Sequence, residues 1–394
     1  MFYLLIFFIL LVFAYNEVFS SNDKLKHTQY IGSYYFLIVL AGFRYETGGD
    51  WQSYTEVYDI IEPINEVIKG NGSVFINHQI EFGFRLLVSI TKFFSSNVQL
   101  LFFIVSFFCI TFLFKNLSEY AVYPQTSILI YYSVLYFFLD FVTIRQAISV
   151  MIFFFSIRYI QNRKIFKYFA LIITASLFHL TALLLLPLYW VINKEYSKIK
   201  VIAFFIAINF VFLLNIRWLE ATLNLVLPFF FGPVASKITT YTAESALVGR
   251  GISIGFIINI IIFVLLMIAR DKTKEIKYYN IFFNLFLLYA FVYSVFFEIV
   301  DISNRFRLYF ALSELILLPT LLTSFELYKN KILIFIFIVL FSFSTSRNIF
   351  LERTGGSAYN PYQNYILYKM FDIKSTGQER LDINDLDYEK NKSK

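Results

Sequence analysis

Long apolar runs recur along the chain, separated by short stretches that carry most of its charge. They lie at Met1–Tyr15, Thr28–Phe43, Val98–Phe114, Tyr123–Phe141, Ile144–Ile160, Tyr168–Ile192, Val201–Ile216, Gly251–Ala269, Tyr278–Phe297, Leu308–Phe325 and Ile332–Phe343. A membrane-crossing helix needs about 20 mostly apolar residues, fewer where interfacial aromatics flank it, and these runs meet that requirement repeatedly. The period-two alternation and turn spacing of a membrane barrel are absent. The pattern predicts an all-α polytopic transmembrane bundle of about 10–12 spans. It predicts one integral membrane domain over residues 1–370 and a polar, disordered tail over 371–394. The first run has neither a basic leader nor a small-x-small cleavage site before Asn16, so it reads as a retained span.

Composition removes the soluble classes. The 394 residues are 58% hydrophobic, 21% aromatic and only 15% charged, with 51 Phe and 29 Tyr. A globular enzyme carries roughly 25% charged residues to solvate its surface. A lone cysteine, Cys109, excludes a disulfide framework and a thiolate zinc cluster.

Charge then orients the runs, because Lys and Arg accumulate in short cytoplasmic loops. The clearest basic loops are Arg158 to Lys167, Lys194 to Lys200, Arg270 to Lys277, and Lys329 with Lys331. Placing all of them inside creates a conflict, since the loops on both sides of Tyr168–Ile192 are basic although one span separates opposite faces. A segment that enters and returns, broken near Ser176 to Thr181, removes the conflict and puts His179 at depth. Such a break is tolerated where it is buried in protein or lines a watery cavity. Both termini then lie outside, as do long loops at about 44–97, 217–250 and 344–363. Within them, the Gly70-Asn71-Gly72 turn and an uncharged stretch with Pro228, Gly232 and Pro233 suit lid elements. Nine arginines, among them Arg44, Arg145, Arg250, Arg305 and Arg307, fall outside or at the outer boundary. Arginine binds phosphate bidentately, so this cluster suits an anionic group such as a lipid diphosphate. The net charge of +7 is therefore no footprint for nucleic acid.

Four segments carry candidate chemistry. In Arg44 to Tyr54 two glycines permit a tight turn, while Asp50, Trp51 and Tyr54 supply a carboxylate for sugar hydroxyls and rings for the apolar sugar face. An interfacial aromatic belt with a snorkelling arginine is the alternative. In Asp140 to Gln146, Arg145 sits at or just below the outer boundary and needs a partner, either an anionic ligand or Asp140. His179, at the proposed break, is either a proton acceptor or donor to a bound polar group, or a neutral imidazole bonded to a nearby carbonyl. In Glu298 to Phe310, Arg305 and Tyr309 lie one helical turn apart and share a face, which favours Arg305 over Arg307 as a ligand contact.

Taken in order, these segments resemble the EpsG family, related to Wzy-type O-antigen and exopolysaccharide polymerases. The resemblance rests on Arg44, Gly48, Asp50, Trp51 and Tyr54; on Glu81 with Gly83; on Arg145-Gln146; on Ser176, His179, Thr181 and Ala182; on Arg305, Tyr309 and Phe310; and on Asn360 to Tyr362. Ser149 and the long final tail depart from the pattern. The resemblance implies a metal-independent and cofactor-free glycosyltransferase-type polymerase in the bacterial cytoplasmic membrane. It would join undecaprenyl-diphosphate-linked oligosaccharide units on the outer leaflet, alongside a flippase and a chain-length regulator. It implies His179, Asp50 and Arg145 as catalytic groups, with His179 the preferred proton acceptor and Asp50 the second choice. Arg145 and Arg305, with Arg44 third, would neutralise the diphosphate; Trp51, Tyr54 and Glu81 would hold the glycan, with Gln146 and Tyr309 also lining the substrate. The rivals are a lipid-linked oligosaccharide flippase, which predicts charges across the whole bilayer rather than at one face, an O-antigen ligase with the same donor chemistry, and an acyltransferase, for which no acyl-donor site is evident.

Overall fold

The structure, a computed structural model, describes residues 1–70, 80–218, 222, 253–298, 300–325, 327–353 and 356–392. Asn71, Gly72, Pro228, Gly232, Pro233 and Arg250, named above, lie outside the described residues. Every regular element among those described is helical, and the one β-type contact is an isolated antiparallel bridge between Arg44 and Asn364. The chain forms two compact units, Met1–Tyr189 with Leu327–Lys394, and Trp190–Glu326.

The first unit begins with α1 (Phe2–Phe19), α2 (Asp23–Gly42), α3 (Trp51–Ile60), α4 (Ile64–Ile68), α5 (Phe82–Phe94) and α6 (Gln99–Tyr120). It continues through α7 (Pro124–Tyr131), a π-helical turn (Tyr132–Tyr136), α8 (Phe137–Phe141), α9 (Ile144–Gln161) and α10 (Ile165–Ser176), then a 3-10 segment (Leu180–Leu185) and the short α11 (Leu188–Val191). The second unit holds α12 (Lys198–Leu213), α13 (Ile254–Thr273), α14 (Tyr279–Val295), α15 (Val300–Phe310) and α16 (Leu312–Leu321), and the chain then returns to the first unit as α17 (Tyr328–Phe350), α18 (Tyr365–Met370) and α19 (Gly377–Lys392).

In the first unit α7 and α9 are buried on almost every side, which a helix without a polar face requires. The polar groups of this interior are answered from within. Glu17 places its carboxylate at the start of α7, accepting from the Gln125 and Thr126 amides at 2.8 Å each, where the helix dipole favours negative charge. In the π turn the Ser133 carbonyl accepts from Ser346 and Thr345 of α17 at 2.5 and 3.1 Å. Tyrosine hydroxyls do the same between elements: Tyr132 donates to the Tyr3 carbonyl at 2.9 Å, Tyr136 to Leu37 at 2.7 Å and Tyr3 to Tyr359 at 3.1 Å. At one end of α9, Arg158 joins it to α6 through Glu119 and Asn116, both at 2.7 Å. In the second unit Phe212, Phe256, Tyr293 and Phe297 form a core, and Phe205 stacks on Phe263 with centroids 3.7 Å apart.

Among the described residues four helices are long and apolar enough to cross a membrane, α1, α6, α13 and α17, fewer than the apolar runs suggest. Local breaks account for part of the difference. The run Tyr123–Phe141 is interrupted by the π turn, and Leu308–Phe325 is divided between α15 and α16. Within the run Tyr168–Ile192 the α-helix ends at Ser176, and the chain then turns back. Tyr168, in the first turn of α10, donates its hydroxyl to the Leu185 carbonyl at 2.6 Å, so the 3-10 segment comes back beside the helix that precedes it. The tail also differs from expectation. Residues 377–392 are helical, and Arg380 and Leu381 are buried against the rest of the unit. Composition missed this because the docking rests on one arginine rather than on an apolar face.

Tyr168→Phe leaves the Leu185 carbonyl without this donor, at a cost of about 1 kcal/mol. Thermal unfolding in detergent is expected to show a midpoint lower by roughly 1–3 °C; an unchanged midpoint refutes the bond's role in holding the reversal.

Candidate active site

The site is assembled where the start of α5 meets the reversal after α10. Gly83 donates its amide to the Leu177 carbonyl at 2.7 Å, which answers one of the carbonyls that the end of α10 leaves without a helical partner. A Cβ on Gly83 would stand 2.8 Å from that same oxygen, so only glycine permits the approach. Two residues earlier, Glu81 meets Arg145 from the first turn of α9, with Oε2 2.5 Å from Nη1. Arg145 also donates to the Tyr54 hydroxyl. Asp140, the alternative partner for Arg145, instead accepts from Tyr131 at 2.5 Å in the interior. Arg145 therefore has a partner from another part of the chain, and its guanidinium keeps partial exposure.

Two residues beyond Leu177, His179 closes the break. Its backbone is extended, its amide bonds to Ala175 at 3.0 Å, and its Nδ1 lies 2.6 Å from the Thr181 hydroxyl. His179 is 6% exposed. Thr181, named from the motif, thus holds the His179 ring.

Tyr54 lies on the buried face of α3 and packs its ring 5.7 Å from that of Phe84 in α5. Burial raises its phenol above the usual range, against Arg145, which favours the phenolate, and with nearby Asp50 adding to the rise. The hydroxyl is therefore neutral at physiological pH and accepts from Arg145 while keeping its own proton. Asp50 stands at the N-terminus of α3, directly before Trp51. The turn that leads to them is tight. Gly48 has φ +102°, a Cβ there would be 2.6 Å from the Phe141 carbonyl oxygen, and its amide bonds to Ala358 at 3.0 Å.

Arg44, named for the diphosphate, is 1% exposed, with its guanidinium 4.2 Å from the Phe102 ring centroid and 5.3 Å from that of Phe141. It donates to the Ala41 carbonyl at 2.9 Å. In this arrangement it braces the turn and presents no accessible face to a ligand. Gln146 is likewise interior, at 1% exposure. The structure thus links Tyr54, Glu81, Gly83 and Arg145 to the backbone of the break that ends in His179, and places Asp50 and Trp51 one helical turn before Tyr54.

Arg305 and Tyr309 belong to the other unit and do not share an environment as the helical spacing suggested, since Arg305 is exposed and Tyr309 is fully buried. Arg307 has the more enclosed surroundings, bonded to the Asn304 side chain and 5.1 Å from the Tyr293 ring centroid. No group of three or more His, Cys, Asp or Glu placed to hold a metal occurs among the described residues.

The bonded set matches a motif series spread over most of the chain, and the family model covers residues 27–364. The chain belongs to the EpsG family. This is a family of Wzy-like polymerases, and membership makes the chain a polysaccharide polymerase-type membrane protein. No curated protein and no solved structure matches it. The EpsG match contains every site residue described above and stops before α18 and α19.

Gly48→Ala and Gly83→Ala each drive a methyl into a backbone carbonyl and are expected to cost about 1–3 kcal/mol. Gly32→Ala is the control: it lies within α2 with nothing within 4 Å of the added carbon, so it is expected to be neutral or stabilising. Thermal unfolding of the three variants checks this, and equal midpoints refute the close approaches.

Proposed function

We propose that this protein joins undecaprenyl-diphosphate-linked oligosaccharide units on the outer face of the bacterial cytoplasmic membrane, forming O-antigen, capsule or exopolysaccharide. The observation that carries the reading is the convergence of separate family motifs on one bonded set, Tyr54 and Glu81 on Arg145, and Gly83 on the break beside His179. In this reading the loop from Arg44 to Gln99 faces the exterior, and the reversal after α10 is a re-entrant pair whose break lines the site.

The reaction needs little machinery. A hydroxyl of one lipid-linked unit attacks the anomeric carbon of the growing chain, a new glycosidic C–O bond forms, and the bond to the diphosphate oxygen breaks with its electron pair. The hydroxyl proton goes to a base. Undecaprenyl diphosphate leaves with the negative charge, and Arg145 receives it. Its planar guanidinium has five N–H donors; Glu81 and Tyr54 hold its plane, and the others serve a diphosphate oxygen pair. In the tautomer that donates Nδ1–H to the Thr181 hydroxyl, the other ring nitrogen of His179 carries the lone pair that takes the proton. Asp50 and Trp51 hold the sugar by carboxylate and ring.

The test is gene deletion followed by complementation with wild type, Arg145→Ala and Arg145→Lys at matched protein level, read as surface glycan length. Deletion is expected to leave single repeat units, and Arg145→Ala to reproduce that pattern through a rate loss of about 10²–10³-fold. Arg145→Lys keeps the charge without the fork and is expected to fall between them. Loss of all exported glycan on deletion would point to a carrier, whereas normal lengths with Arg145→Ala overturn the diphosphate assignment.

A further inference from the structure

The residues after the family match are folded onto its first motif. Arg380, in α19, is 4% exposed, and its guanidinium donates to two distant parts of the chain. One nitrogen, Nη2, bonds the Glu46 carbonyl at 2.7 Å and the Thr47 hydroxyl at 3.4 Å. The other, Nη1, bonds the carbonyls of Pro361 at 2.9 Å and Ala358 at 3.4 Å. Nε returns to Thr376 at 3.3 Å, within its own segment. Lysine, a single ammonium on a flexible stem, cannot reproduce this fork.

Neighbouring contacts seat the fork. Gln363 pairs with Thr376 through both its side-chain oxygen and nitrogen. Gly377 lies so close to Glu46 that a Cβ would be 2.5 Å from the Glu46 Cβ and 2.9 Å from its carbonyl oxygen. Glu46 itself has φ 45°, an uncommon conformation for a residue with a side chain, so the turn is held there by its surroundings. Four residues on stands Asp50, then Trp51. The chemistry-bearing pair is fastened elsewhere, Arg145 by Glu81 and the break by Gly83.

We propose that Arg380 is a positioning residue for the glycan contacts: through α19 it straps the Glu46–Gly48 turn to residues 358–361 and so fixes where Asp50 and Trp51 meet the growing chain. The inference rests on the polymerase reading for its consequence, but not for its geometry. Without the strap, linkage still occurs because Arg145 and His179 keep their own supports. The growing glycan is held less well and is released sooner, which shortens the chains rather than reducing them to single units.

The experiment uses the full-length protein in two arms, with Arg380→Ala, Arg380→Lys and Gly377→Ala. In the first, hydrogen–deuterium exchange of purified protein follows residues 44–54 against residues 82–94 and 165–185. Arg380→Ala is expected to speed exchange in 44–54 by about ten- to hundredfold, Arg380→Lys by less, with the other two segments unchanged. In the second, each variant complements the deletion strain at matched membrane level, with Arg145→Ala alongside. The expected result is a shorter modal glycan with Arg380→Ala, partly restored by Arg380→Lys, while the number of new linkages is kept. Unchanged exchange in 44–54 overturns the strap whatever the glycan does. Faster exchange with normal chain length overturns the positioning role and leaves Arg380 structural. Should the deletion strain itself show normal chains, the polymerase reading fails, and the exchange arm still decides the strap. If Arg380→Ala does not accumulate, Gly377→Ala disturbs the same contact from the other side and carries the same expectations.

Discussion

An interrupted helix in an apolar surrounding leaves amide and carbonyl groups that water cannot reach, and the protein has to answer them itself. Most of what positions the candidate site follows from that constraint. The break after α10 leaves the Leu177 carbonyl exposed to its neighbours, and the donor that answers it is the Gly83 amide. Because that donor sits two residues after Glu81, satisfying the backbone also delivers a carboxylate to Arg145. One hydrogen bond therefore couples a helix break to an ion pair. The π turn obeys the same rule with the hydroxyls of Ser346 and Thr345, and the many tyrosines serve it elsewhere. A Tyr can bury a large ring and still end in a donor, which suits an interior where the acceptors are carbonyls of neighbouring helices.

The arginines divide into two kinds by the same logic. Arg44 is enclosed by rings and holds the turn that carries the motif, whereas Arg145 is paired at one side and partly open at the other. Enclosure makes a cation a structural brace, and partial exposure makes it available to a ligand. Counting external arginines could not make that distinction, since it depends on which rings the fold brings alongside.

Much of this was legible in the sequence. The all-helical character followed from the length of the apolar runs, and the α-helix does end at Ser176, where the basic loops flanking that segment suggested a break. The pairing of Arg145 with Glu81 was not, because 64 residues separate them and no local pattern states which acid a boundary arginine will find. Helical spacing suggested a shared face for Arg305 and Tyr309, and it failed because burial of Tyr309 is decided by the helices around α15 rather than by the helix itself. The tail was misjudged for a related reason. Its charge content predicts solvation, and nothing in that composition reveals that its single arginine meets four acceptors in two other segments of the chain.

The return of the chain to its first unit also sets an order of assembly during synthesis. Residues 190–326 form their own compact unit between the two parts of the other. At roughly 5–20 residues per second, that stretch occupies the ribosome for on the order of ten seconds. Throughout that interval the earliest helices lack α17 and the segment around Tyr359, which supply the hydroxyls for Ser133 and the acceptor for Tyr3. The unit made in the middle can finish first, while the one that holds the candidate site has to wait in the membrane, incomplete, until α17 and the segment around Tyr359 have been made. Its early helices must persist as separately inserted segments, so their own apolarity, more than their eventual packing, keeps them in place until the chain closes.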